Sequence, residues 1–174
     1  VSALLARVLE TTFGLEGGFS DDPSDKGGRT QWGIAEKRHP ELWALGPPTK
    51  AAATQFYTGL WNECGSAYLE SAGLIELAHN LFDMAVNAGP KRAVVLLQRA
   101  AGIADLDGIL GPLTLSAVRA LAAAFGEPAL RNAYLLERVA FYTRLVARDP
   151  SQQKFFRGWI GRALSFYPTN KQVH

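Results

Sequence analysis

With 174 residues, 48% of them hydrophobic and 20% charged, the chain is long enough to bury a core of its own and too apolar to be a disordered segment. A net charge of +2 argues against a nucleic-acid partner but suits an anionic polymer, and a lone cysteine, Cys64, excludes an internal disulfide. No apolar run approaches the roughly 20 residues of a membrane span, so no stable membrane insertion is expected.

The pattern is helical along most of the chain. Leu4, Leu5, Val8 and Leu9 recur at helical spacing, and Gly14 and the Gly17–Gly18 pair are expected to end that regularity. This opening helix lacks the basic start and unbroken apolar stretch of a signal peptide. A cytoplasmic origin is therefore expected, with release by another component if the protein acts outside the membrane. Residues 14–32 read as a loop or small hairpin, with a turn at Gly27–Gly28. A short helix is expected at 34–38, stopping before Pro40. In "GPPTKAAATQFYTGLW", Thr49 precedes good helix formers and is placed to cap them. "LIELAHNLFDMAVNAG" gives the cleanest helix, with Leu74, Ala78, Leu81, Phe82 and Ala85 as its apolar stripe and Gly89–Pro90 closing it. A helix follows over 91–101, Pro112 opens another, and two more fit roughly 128–147 and 151–165. The mildest boundary lies at Gly89–Pro90. It divides residues 1–89 from residues 90–174, expected to pack as one globular unit.

One segment raises a question of chemistry as well as of structure. "LEGGFSDDPSDKGGRTQWGI" concentrates five glycines with the carboxylates Glu16, Asp21, Asp22 and Asp25, ahead of Thr30 and Trp32. Glycines let a ligand approach the backbone, so a carboxyl beside them can be both rigidly held and accessible. Glycoside hydrolysis needs one carboxylic acid to protonate the leaving oxygen and commonly a second carboxylate to activate water. Apolar neighbours such as Phe13 or Leu15 would push the pKa of Glu16 up, while a polar loop near Arg29 would keep Asp25 ionised. The Thr30 hydroxyl could orient the water. A solvated turn accounts for the same composition. The aspartates do not follow the spacing of a calcium loop.

The segment resembles the signature of glycoside hydrolase family 108, typically E-G-G-Y-x-N-D-P-x-D-x-G-G-x-T-x-x-G-I. These are bacterial and phage N-acetylmuramidases. Glu16 falls on the family's acidic catalyst, and Asp25 and Thr30 fall on motif positions. The same Glu, Asp, Thr order in phage lysozymes implies a water-positioning role for the latter two. "FDMAVNAGPKRAVVLLQRAAGIADLDGILGPLTLSAV" resembles the second region of these proteins, a predicted peptidoglycan-binding region. Phe19, Asp21 and Lys26 depart from the commoner tyrosine, asparagine and proline, and Arg29 from a residue often acidic or small; no proposed catalyst is lost. The resemblance implies an all-α, lysozyme-like, two-lobed fold with a small irregular segment near 17–32. It also implies cleavage of the β-1,4 bond between N-acetylmuramic acid and N-acetylglucosamine. Peptidoglycan glycan strands are then the partner, the cell wall the site of action, and a monomer the expected state. No cofactor or metal is implied.

Other residues are less specific. Glu76, Asn80, Asp83 and Asn87 share one helix face, which reads as solvated or as the wall of a cleft. "AVNAGP" also resembles a sugar-contacting run of lytic transglycosylases, which makes Asn87, and secondarily Asp83, candidate substrate contacts. Trp32 lies within the motif and is a candidate for lining a cleft; Tyr57 and Trp61 read as core. "DGILGPLT" resembles short peptidoglycan-binding modules, though a turn and helix start explain it equally well. His39, His79 and His174 lack metal-ligand spacing, and Cys64 reads as a buried, inert thiol. Rival readings are a lytic transglycosylase, a wall-binding or secretion-accessory protein without turnover, and a helical DNA-binding regulator, the last disfavoured by charge.

Overall fold

The computed structural model describes residues 1–16, 18–20 and 28–167, leaving the side chains of residues 14–16 outside that description. Among the described residues the fold is all-α and lysozyme-like, with eight α-helices and one small antiparallel hairpin. The chain divides into two compact units, Val1–Trp61 and Asn62–His174.

The first unit opens with α1 (Ala3–Glu16), whose start is capped by the Ser2 hydroxyl accepting the Leu5 amide at 3.1 Å. Leu5, Val8, Leu9 and Phe13 form its buried stripe. The helix runs through Gly14 and ends at Glu16, so Glu16 belongs to the last helical turn rather than to the loop. Strands β1 (Thr30–Gln31) and β2 (Ile34–Ala35) follow, paired Thr30 with Ala35 and Gln31 with Ile34. The helix expected at 34–38 does not form. Trp32 and Gly33 both take positive φ, 53° and 75°, which no right-handed helix permits but which a two-residue hairpin turn requires. Ile34 is then buried as a strand residue.

Arg29 and Glu36 extend the hairpin. The Glu36 amide donates to the Arg29 carbonyl at 2.8 Å, and the Arg29 guanidinium returns a bidentate pair to the Glu36 carboxylate at 2.8 and 2.5 Å. The same guanidinium lies 5.2 Å from the Trp43 ring centroid. A 3₁₀ turn, Pro40–Trp43, leads to α2 (Lys50–Glu63), capped by Thr49 accepting the Ala52 amide at 3.2 Å. Tyr57 and Trp61 are core residues, as their spacing predicts.

The second unit holds α3 (Ser66–Ser71), α4 (Ile75–Ala88), α5 (Pro90–Ala100), α6 (Pro112–Phe125), α7 (Glu127–Arg148) and α8 (Gln153–Leu164). Helix α3 is six residues long, too short to display a period. Helix α7 packs against α4, α5, α6 and α8. Its first-turn Glu127 accepts the Leu77 amide at 2.7 Å, satisfying an orphan donor of the first turn of α4, which has no side-chain cap of its own. The α4 stripe of Leu74, Ala78, Leu81, Phe82 and Ala85 is buried as expected. Its polar face is not solvated throughout, however, because Asn80 and Asp83 are buried too. Both meet Arg138 of α7, which is wholly buried. Arg138 donates to the Asn80 side-chain carbonyl and to Asp83 Oδ2, the latter at 2.5 Å, and Arg162 of α8 donates to Asp83 Oδ1 at 2.6 Å. One aspartate thus ties three helices.

Truncating one partner of a buried ion pair leaves the other charge uncompensated, at a cost of about 3–5 kcal/mol. Arg138→Leu leaves Asp83 its Arg162 partner, so it is expected to cost less than that, about 1.5–3 kcal/mol of unfolding free energy in urea titration, and a loss below about 1 kcal/mol would contradict the tie. In the hairpin, the Arg29 hydrogen bonds hold the Glu36 pKa below its ordinary value of 4.5. The folded chain therefore binds that proton less readily than the unfolded chain, so the pair's stabilisation is complete at neutral pH and lost as pH falls below about 4.5 through the depressed value. The melting-temperature gap between wild type and Glu36→Gln should be widest near pH 7 and close as pH approaches 3; a gap independent of pH would refute this.

Candidate active site

The residues expected to carry chemistry fall in both units. Glu16 is placed by its backbone at the C-terminal end of α1. Asp25 lies outside the described residues. Thr30 opens β1 and is half-buried. Its backbone is fixed on both sides. The Thr30 amide donates to the Ser20 carbonyl at 2.8 Å, the Ser20 amide donates back at 2.9 Å, and Ala35 pairs with Thr30 across the hairpin. A hydroxyl on such a backbone is pre-organised to hold a water or a sugar oxygen.

Trp32 sits at the hairpin turn with φ of 53°. A non-glycine residue in the left-handed region costs roughly 1–2 kcal/mol, and such strain persists only where the surroundings impose it. Here two contacts do so. The buried Tyr57 hydroxyl donates to the Trp32 carbonyl at 3.0 Å, and the Trp32 ring meets Phe13 edge-on at 5.4 Å between centroids. Phe13 also touches Tyr57, with centroids 6.0 Å apart. Three aromatics from α1, the hairpin and α2 therefore brace the turn. The half-buried Trp32 combines an apolar face with a fixed position, which is what a sugar-stacking platform needs.

The second pair of candidates lies on α4 of the other unit. Asn87 is half-buried in the last turn of α4. Asp83, one turn earlier, has both carboxylate oxygens engaged by Arg138 and Arg162. This arrangement makes it a poor sugar acceptor and a good anchor for the helix that carries Asn87. Arg138 and Arg162 were not anticipated as its partners. A signal existed for Arg138: it stands on the buried face of α7, four residues from Tyr134 and four from Tyr142. A charge in an apolar stripe calls for a buried partner.

Two buried polar groups of the second unit have structural roles. Cys64 is fully buried, its sulfur 3.1 Å from the Ser66 hydroxyl, and burial pushes its thiol pKa up, so it is an inert thiol as expected. The Tyr134 hydroxyl, likewise pushed up by burial, donates to the Ala93 carbonyl. Among the described residues no cluster of histidine, cysteine, aspartate or glutamate could hold a metal ion, and no helix is long and apolar enough to cross a membrane.

Comparison with known proteins places these features. Residues 9–89, which hold Glu16, Thr30, Trp32, Asp83 and Asn87, match the family described as glycosyl hydrolase 108, and residues 92–164 match the "Predicted Peptidoglycan domain". The fold is similar to the structure of SagA from Brucella abortus, at 30% identity and a TM-score of 0.71, over 95% of this chain and 97% of that one. No curated protein matches the chain. The two matched regions together support glycoside hydrolysis directed at peptidoglycan, and the structural likeness spans both of them. On these grounds the chain belongs to the glycosyl hydrolase 108 family, with that family's hydrolase region followed by its peptidoglycan domain.

Proposed function

We propose that this protein is an N-acetylmuramidase that cleaves the β-1,4 bond between N-acetylmuramic acid and N-acetylglucosamine. The observation that carries the reading is the order Glu16, Asp25, Thr30 inside the matched glycosyl hydrolase region, with Glu16 ending a helix and Thr30 on a doubly fixed strand. Glu16 is the general acid that protonates the leaving glycosidic oxygen. Asp25, helped by the Thr30 hydroxyl, activates or orients water at the anomeric carbon. Direct attack by that water inverts the anomeric centre, which calls for carboxyls ~6.5–9.5 Å apart. The peptidoglycan domain supports a wall polymer as substrate.

Trp32 stacks on a sugar ring, and Asn87 hydrogen-bonds an N-acetyl or hydroxyl group. Asp83 acts indirectly, holding α4 so that Asn87 keeps its position. Residues 1–89 carry catalysis and residues 90–174 wall recognition. The enzyme works as a monomer on glycan strands at the cell wall. A lytic transglycosylase would need only the glutamate; the conjunction of Glu16 with Asp25 and Thr30 favours hydrolysis over it.

Glu16→Gln keeps the shape of the side chain but removes the proton to be donated. It should reduce turnover of purified peptidoglycan by at least about a thousandfold with folding intact, and near-wild-type turnover would exclude Glu16 as the acid. Product mass spectrometry should show reducing muramic ends; anhydro ends would mean a transglycosylase. Asp25→Asn should cost less than Glu16→Gln, and the wild-type rate should be bell-shaped in pH, reflecting one acid and one base. Trp32→Ala should act mainly on KM. An equal fall in kcat and kcat/KM at unchanged KM would show that the ring serves the transition state instead.

A further inference from the structure

The second unit contains a cavity of about 760 Å³ that the muramidase chemistry does not use. That size is within the ~300–1,000 Å³ of small-ligand sites. Its wall is residues 107–112 of the "DGILGPLT" segment together with Leu115, the start of α5, and Asn62, Glu63, Gly65 and Tyr68.

The segment is held by one buried side chain. Gln98 of α5, 1% exposed, donates through Nε2 to Asp107 Oδ1 at 2.7 Å, to the Thr114 hydroxyl at 3.1 Å and to the Ile109 carbonyl at 3.2 Å; its Oε1 accepts the Gly108 amide at 3.0 Å. Asp107 Oδ1 also accepts the Ile109 amide at 2.8 Å. These contacts satisfy the buried amide and fix the shape of the segment, so the wall it forms is rigid.

The wall carries both charges. Lys91 is the second residue of α5, a helix with neither a side-chain cap nor an acidic residue in its first turn, so the local field favours an anion. Gly108, at φ of 75°, allows the close approach of Lys91: a Cβ there would lie 2.6 Å from Lys91 Cγ and 3.0 Å from its carbonyl oxygen. Asp107 and Glu63 supply negative charge, and Leu110 and Leu115 supply apolar surface. Tyr68 stands at the rim, 56% exposed, and Ile109 beside it, 64% exposed. A neutral sugar chain can offer these groups hydroxyls but no counter-charge. A short peptide bearing both carboxylate and ammonium groups beside alanine methyls complements all of them.

We propose that this cavity binds the stem peptide of peptidoglycan, with Lys91 on a peptide carboxylate, Asp107 and Glu63 on its ammonium group, and Tyr68 covering the chain. The proposal rests on the wall-polymer reading above and gives the second region a ligand distinct from the glycan. The site selects cross-linkable, peptide-bearing strands.

The test is titration of ¹⁵N-labelled Glu16→Gln protein with the tetrapeptide L-alanyl-γ-D-glutamyl-diaminopimelyl-D-alanine, and separately with chitotetraose. The peptide should shift amide signals of Tyr68, Lys91 and residues 107–115, and chitotetraose should not. Lys91→Glu should weaken Kd by at least about tenfold, the effect of losing a charge-assisted hydrogen bond, and Tyr68→Ala by several-fold. Both are surface changes that leave the fold intact, checked by unchanged spectra elsewhere. The inference is overturned by absence of shifts at millimolar peptide, by equal shifts from chitotetraose, or by peptide binding indifferent to both substitutions. Peptide binding requires no turnover, so its failure with hydrolysis intact removes this site alone. Hydrolysis failing with binding intact removes the muramidase reading alone.

Discussion

The second unit depends on a single carboxylate. Asp83 projects from α4 into the space between α7 and α8 and takes an arginine from each. Arg138 could not be wholly buried without it, because an unpaired guanidinium out of water costs far more than a helix contact returns, and the half-buried Arg162 closes the pair from the solvent side. The arrangement is not an economical source of stability. Asn80 Nδ2 and Arg138 Nε are buried without a hydrogen-bond partner among the described residues. Well-packed hydrophobic side chains in their place would often be as stable or more so. What the ions supply is register. Apolar helices can slide against one another by a turn at little cost, whereas Asp83 meets both guanidinium groups in one alignment. That alignment sets where Asn87, one turn further along α4, is presented.

The first unit meets the same need with different means. There the element to be fixed is a two-residue turn, and the device is strain held by aromatic packing. Trp32 would leave the left-handed region if unconstrained; the Tyr57 hydroxyl and the Phe13 ring keep it there. The Arg29–Glu36 pair closes the open end of the same hairpin. Thr30 lies between these two fastenings, with its own backbone bonded to Ser20. The water-positioning role proposed for the Thr30 hydroxyl would gain from such a location, since displacement by even an ångström can cost orders of magnitude in rate.

The two regions also differ in what they offer a wall polymer. The glycosyl hydrolase region concentrates carboxylates and an aromatic, groups suited to the glycosidic bond and sugar faces. The cavity of the second unit concentrates opposite charges and apolar surface, groups suited to peptide. Peptidoglycan contains both components; recognition of each by its own surface, as proposed above, would add selectivity without demanding high affinity from either.

The helices of this protein were legible because they are amphipathic. The α4 stripe, the Thr49 cap, Pro112 at a helix start and the ends of α7 and α8 all follow from local chemistry that operates within a few residues. The motif around Glu16 was legible for a different reason: it resembles the signature of glycoside hydrolase family 108, whereas its glycines and carboxylates taken alone suit a solvated turn as well. The sequence could not show that Ile34 and Ala35 would form a strand, because the deciding event is a positive φ at Trp32 imposed by Tyr57, 25 residues away. Nor could it show that Asp83 is buried, since the arginines that permit its burial lie 55 and 79 residues along the chain. Periodicity reports what a residue does for its own helix. Whether a charge faces water or a distant partner is decided only when the helices pack, because only then does its surrounding medium exist.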